Sequence, residues 1–387
     1  MTAPRRSSAL SPPTPPGIPV PPSPPPRIAP RLSLSRRLLF STLVLLGVVG
    51  IAELGCSFLP KERLDTRSLR IRAQTMNDNL IANNDVPGWD LRPDGGELAH
   101  VPYTANRWRM RGPDYEVVHP PDVSRVLMVG DSSIFGAKLR WEETFSAQFV
   151  ELRAHGKTEE KIQVGNCAAP GHSTWQSKIK LKRHCLAFEP DLVVIGNQNS
   201  DSAFDVAADR DRFPPNRYPG VYDLLDRSYL YRALGTILVR AKDDALLKSN
   251  TGAAPEGGTQ IAQVGGPTGT IVRVPLDEYR QNLMEMITLI RESGAIPVLL
   301  VLPDLADVSD QPRPPGSNLL AYKATLRELA ATENLRLVDA AEWFQTMHGG
   351  EDLFLDVVHP NAQGATILAE LLDRQLPSPI PRRGASP

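Results

Sequence analysis

The chain predicts an α/β fold: a three-layer α/β/α sandwich around a parallel sheet of about five strands, preceded by a single transmembrane helix. Three observations predict it. From Val126 onward, short apolar runs alternate with stretches whose apolar residues recur at helical spacing. The runs are continuous rather than alternating in polarity, which marks strands covered on both faces. Upstream, Leu38–Leu59 is a 22-residue apolar stretch whose one charge is Glu53, close to the roughly 20 residues a bilayer span needs.

At 387 residues the chain has ample length to bury a core. Twelve of its 37 prolines fall in the first 30 residues. Residues 1–36 therefore read as a disordered, partly polyproline II tail, a spacer rather than an SH3-type ligand. Residues 37–59 read as a retained anchor, with Glu53 at the membrane interface. A signal peptide is the main rival, but its n-region would be unusually long and no small-x-small cleavage site follows. A lipoprotein signal centred on Cys56 is weaker, because Glu53 stands where an aliphatic residue belongs. Orientation does not follow from charge: Arg27, Arg31, Arg36 and Arg37 precede the span, and Lys61, Arg63, Arg67, Arg70 and Arg72 follow it.

Residues 60–120 are polar, with scattered Gly, Pro and Asn, and predict a stalk and a lead-in packed loosely on the domain, with short strands near Ala99–Tyr103. The domain proper spans 121–380. Its predicted strands are Val126–Val129, Lys161–Val164, Leu192–Ile195, Ile296–Leu302 and Leu335–Val338. Helices are predicted over Trp141–His155, from an N-cap at Ser173 to about Leu186, and over Leu276–Arg291 and Leu319–Asn334. A last helix follows His359 with Asn361 as its N-cap. The stretch 202–275 interrupts this rhythm as an insertion, with a helix near Tyr229–Val239 and a Gly- and Ala-rich loop over Thr251–Thr270.

A net charge of -1 without a basic stripe in the domain gives no argument for nucleic acid. Cys56, Cys167 and Cys185 make neither a disulfide scaffold nor a zinc motif. Cys167 and Cys185 either pair in an oxidising compartment or stay as two buried thiols.

Chemistry-bearing residues gather at the loops after the predicted strands. Gly130-Asp131-Ser132 follows the first strand directly, at the sheet edge where open α/β folds place their sites. Gly171 follows the second, and Asn199 lies in GNQNSD after the third. Asp356-Val357-Val358-His359 stands just before the last helix. In this order and spacing the chain resembles the SGNH (GDSL-type) hydrolase family, over roughly 123–376 apart from the insertion, and a flavodoxin-like sheet is implied.

The resemblance implies a role for each residue. Ser132 would be the nucleophile and His359 the general base. Asp356 would fix the imidazole tautomer and stabilise the imidazolium. The amides of Ser132 and Gly171 and the carboxamide of Asn199 would form the oxyanion hole. His172 and His184 read as ordinary surface or helix-start histidines, and Asp131 as a turn or capping carboxylate. Two departures stand out. Ser133 occupies the place of the motif's Leu. Aligning Asn199 with the family asparagine puts Asn197 where Gly belongs and Ser200 where Asp belongs; Asn197 is the alternative, but the strand length to the sheet edge fits Asn199 better.

The implied function is a membrane-anchored serine esterase without metal or cofactor. Its substrate would be an O-acetyl or short acyl ester on an envelope carbohydrate or lipid, with the domain outside the cytoplasm. The same residues would serve an O-acyltransferase, or a lipase if the insertion is an apolar lid. An inactive binding module is the alternative of a different class, kept open by the altered third block.

Overall fold

The computed structural model describes residues 33–59, 80–81, 86–93, 95–98, 100–156, 160–205, 207–213, 221, 224–225, 227–249, 271–310, 312–313, 317–347 and 350–383. The proline-rich tail up to residue 32 and the Gly- and Ala-rich loop over 251–270 lie outside them. The chain divides into two compact units, Met1–Ile51 and Ala52–Pro387.

Helix α1, Leu34–Ser57, is 24 residues long and carries no buried residue in its apolar length. By length and composition it is able to cross a membrane, a property that signal sequences share.

In the second unit, five strands form one sheet: β1 (Ser124–Gly130), β2 (Ile162–Asn166), β3 (Leu192–Gly196), β4 (Ile296–Val301) and β5 (Arg336–Asp339). Their order is β5-β4-β3-β1-β2 and every pairing is parallel. The apolar runs of the sequence and these strands coincide to within a residue or two. After β2 the chain moves to the far side of β1 to lay down β3. The crevice at the C-terminal ends of β1 and β3 is thus a topological switch point, the place where such sheets bind ligands.

Alternate residues of each strand face opposite layers. Val126, Met128, Val164, Val194 and Leu300 enter one core with Phe145 and Phe149 of α2 (Phe145–Ala154) and Leu368 and Leu372 of the final helix. Leu127, Val129, Ile195 and Val301 enter the other, against α3 (Thr174–Arg183), α5 (Leu276–Glu292) and α6 (Leu319–Thr332). Helix α5 buries Tyr279, Leu283, Met286, Ile287 and Ile290 along one stripe, at roughly 1.5–3 kcal/mol for each large apolar side chain.

The helices begin where capping chemistry places them. Thr144 Oγ1 accepts from the Ala147 amide at the start of α2. At the start of α3 the Ser173 amide donates to Gln176 Oε1 at 2.8 Å. Asn361 Oδ1 accepts from the amides of Gln363 and Gly364 at the start of the last helix, Ala362–Gln375. Between them lies α4 (Tyr229–Ser249), longer than the 229–239 stretch predicted. Glu53, near the end of α1, accepts from Ser228 Oγ and from the amides of Tyr229 and Leu230 at the start of α4. The one carboxylate of the apolar stretch thus has three donors.

Two expectations change. The described part of the lead-in packs tightly rather than loosely: Trp89, Leu91, Trp108 and Met110 are all buried, and a two-stranded ribbon pairs Gly96–Leu98 with Val101–Tyr103. Its residues lack a helical or strand period, so their burial is set by the surfaces they cover. His172 is fully buried rather than at the surface, with Nε2 at 2.8 Å from the Trp89 carbonyl oxygen. Burial, followed by the charge of Lys180, pushes its pKa down to about 4. Cys167 and Cys185 are joined in a disulfide that ties the end of β2 to the turn after α3.

Candidate active site

Strand β1 ends in Gly130, and Ser132 opens a one-turn helix, Ser132–Phe135. Asp131 caps that turn, its Oδ1 accepting from the Ser133 amide at 3.0 Å. The turn can sit this low because Gly130 and Gly196 are register partners on β1 and β3. Ile134 lies across both: a Cβ on Gly130 would stand 2.2 Å from Ile134 Cγ1, and one on Gly196 2.6 Å from its Cδ1. At the other end of the turn, the buried Arg111 guanidinium gathers carbonyl oxygens, donating to Phe135 (2.7 Å), Gly136 (2.8 Å) and Leu139 (2.5 Å). Those groups would otherwise lack partners at a helix C-terminus.

Across the cleft, Asp356–His359 forms a tight turn before the last helix. Asp356 Oδ1 accepts from the amides of Val358 and His359, each at 3.1 Å. His359 Nδ1 lies 2.7 and 2.8 Å from the two Asp356 oxygens, and Nε2 lies 2.8 Å from Ser132 Oγ. A carboxylate can only accept, so Nδ1 carries the proton and Nε2 is left to receive one from the serine. Lys138 Nζ donates to Asp356 Oδ2 at 2.7 Å. Burial works to raise the Asp356 carboxyl, but the hydrogen bond and charge of His359, with Lys138, hold it well below the usual carboxylate range.

The structure also brings the third block to this turn. Asn199 Nδ2 donates to Ser133 Oγ at 3.0 Å, and the amides of Asn199 and Ser200 both donate to Asp131 Oδ2 at 3.1 Å. Asp131 thus does more than cap a turn: it pins two loops together, and burial raises its pKa against the pull of those amides. Asn197 points elsewhere, donating to Ser177 Oγ at 3.1 Å. Of the two asparagines, Asn199 is the one beside the serine turn.

Gly171 follows β2 with φ +77°, and a Cβ there would lie 3.0 Å from the Trp89 ring. Trp89 Nε1 donates to the Pro170 carbonyl oxygen at 2.8 Å. Arg273 donates to the Gly171 carbonyl oxygen at 2.8 Å and pairs with buried Asp209 at 2.8 Å. Sequence reasoning missed Trp89, Arg111, Lys138, Asp209 and Arg273. None has a motif or period to reveal it, because each acts across dozens of residues. Among the described residues, no group of three or more His, Cys, Asp or Glu is disposed to hold a metal ion.

The model of the GDSL-like lipase/acylhydrolase family matches residues 262–367, a range that includes Asp356 and His359 but not Ser132. Over that range, about a quarter of its length, the chain is similar to this family. Solved structures similar to it include an acetyl xylan esterase, AlAXEase, at 15% identity over 65% of this chain and 98% of that one, with a TM-score of 0.42. Axe2, an acetylxylan esterase from Geobacillus stearothermophilus, has 19% identity over 65% and 93%, with a TM-score of 0.41. A lipase/acylhydrolase from Enterococcus faecalis has 18% identity over 68% and 100%, with a TM-score of 0.41. No curated protein matches the chain.

Proposed function

We propose that the protein is a serine esterase that cleaves an acyl ester through an acyl-enzyme on Ser132. The hydrogen-bonded line from Ser132 Oγ to His359 Nε2 to Asp356, at 2.8 and 2.7 Å, carries this reading. His359 takes the serine proton as Ser132 Oγ attacks the acyl carbonyl, then returns it to the departing alcohol oxygen. Asp356 stabilises the imidazolium between those events. The amides of Ser132 and Gly171 and the carboxamide of Asn199 receive the charge that grows on the carbonyl oxygen. Water then repeats the cycle on the acyl-enzyme and frees the acid.

The substrate class is an O-acetyl or other short acyl ester on an envelope carbohydrate or lipid. Two features support that setting. Helix α1 is long and apolar enough to anchor the chain. The Cys167–Cys185 disulfide belongs in an oxidising compartment, which favours a catalytic domain outside the cytoplasm.

A fluorophosphonate probe and p-nitrophenyl acetate test the mechanism. Labelling and turnover are expected in the wild type. Both should be lost in Ser132→Ala, and His359→Ala should lower kcat by roughly 10⁴-fold or more. Labelling that persists in Ser132→Ala would overturn the nucleophile assignment.

A further inference from the structure

The hydroxyl next to the nucleophile is buried and committed at both ends. Ser133 Oγ donates to the Val358 carbonyl oxygen at 2.9 Å and accepts from Asn199 Nδ2 at 3.0 Å. Ser133 is 4% exposed and Asn199 3%, so water has little part in either bond. A hydroxyl has one proton. Because Val358 takes it, Ser133 Oγ faces Asn199 as an acceptor.

That settles which end of the carboxamide can face the serine turn. The two ends of an asparagine differ only in whether they donate or accept, and rotating the amide by half a turn exchanges them. With Oγ acting as an acceptor, the NH₂ end is bound and the oxygen end is turned away. The Asn199 backbone is already fixed, since its amide and that of Ser200 donate to Asp131. The remaining freedom lies in the side chain. Asn199 Oδ1 is buried without a hydrogen-bond partner, so the Ser133 bond is what distinguishes one amide orientation from the other. Each NH₂ carries two protons: one is spent on Ser133 and the second remains for a substrate oxygen.

We infer that Ser133 is a positioning residue that orients the Asn199 carboxamide as an oxyanion donor, the Ser133 proton being held by the Val358 carbonyl oxygen. The inference rests on the esterase reading and assigns a task to the hydroxyl found where the family motif has Leu. Ser133 itself touches no reacting atom in this scheme; it acts through Asn199.

A double-mutant cycle on the full chain, with p-nitrophenyl acetate as substrate, tests it. Ser133→Ala should lower kcat at least about tenfold, and by no more than the roughly 10²–10³-fold that loss of one oxyanion donor costs, with little change in KM. In an Asn199→Ala background the same change should have no further effect on kcat. The acid limb of the pH profile of kcat/KM should stay where it is in the wild type, because the proton chemistry belongs to His359. If Ser133→Ala fails to fold, Ser133→Cys, which fills the site with a slightly larger and weakly hydrogen-bonding thiol, is read the same way. Wild-type kcat in a folded Ser133 variant would overturn the inference, as would an undiminished effect on top of Asn199→Ala. A displaced acid limb would also overturn it, by showing that the effect runs through His359. Ser132→Ala, measured alongside, separates the two readings: if it abolishes turnover while Ser133 variants are normal, only the present inference fails.

Discussion

At the scale of single residues, the height of Ser132 above the sheet depends on two absent side chains. Ile134 occupies the space over Gly130 and Gly196. Gly130→Ala would bring a methyl to 2.2 Å from Ile134 Cγ1, forcing the turn that carries Ser132 to lift. The expected cost is about 1–3 kcal/mol in stability, together with a loss of kcat, measured by denaturant unfolding and by turnover. Adding Ile134→Ala should recover part of the stability. A second residue gives a pH signature. Asp201 is fully buried, and burial pushes its pKa up to about 7 from the ordinary 3.8, against two hydrogen bonds from Thr174. Between those values the folded protein holds a proton that the unfolded chain has released. Stability from this group is therefore present at the acid end of the window and falls as pH rises through it. Unfolding free energy of the wild type should drop relative to Asp201→Asn between about pH 4 and 7, and a parallel pair of curves would rule this out.

At the scale of elements, the lead-in belongs to the working domain. Its Arg111 holds the carbonyl oxygens that end the serine turn, and its Trp89 supports the Gly171 loop from the other side. Trp89, Leu91, Trp108 and Met110 are buried, and each contributes roughly 1.5–3 kcal/mol. Their sum is comparable with the whole stability of a domain, about 5–15 kcal/mol. A chain that starts at residue 121 should therefore fail to fold cooperatively, whereas one that starts at residue 80 should fold and react with the fluorophosphonate. Circular dichroism and probe labelling check both. A boundary at 120 looked natural because the preceding stretch has no period. Aperiodic sequence, however, says only that a segment is neither helix nor strand, and nothing about what it covers.

At the scale of the whole molecule, the sheet order places the serine turn at the switch point and the last helix brings His359 back to it. The Cys167–Cys185 bond spans 18 residues beside the Gly171 loop. A loop of that size is worth about 3 kcal/mol in the chain-entropy account. Paired Cys167→Ser and Cys185→Ser changes should lower the thermal midpoint while leaving residual turnover in the fraction that stays folded. Differential scanning calorimetry with and without reductant measures it. An unchanged midpoint under reduction would show that the bond carries no stabilising load.

The five strands, the main helices and the caps at Ser173 and Asn361 were legible along the chain, because they depend on local period and on groups a few residues apart. Strand ends and short motifs also marked Ser132, Asn199, Asp356 and His359; the fold joins Ser132, His359 and Asp356 by hydrogen bonds and brings Asn199 to the adjacent Ser133. Tertiary structure alone decided that Asn199 rather than Asn197 meets the serine turn, that Cys167 pairs with Cys185, and that Ser133 bridges the two loops. The same holds for Arg111 and Arg273, whose partners are reached through the sheet rather than along the chain. The reason is physical. A period or a cap is encoded by neighbours in sequence, whereas a hydrogen bond between residues 133 and 358 exists only after parallel strands and the final helix have brought their loops to one edge.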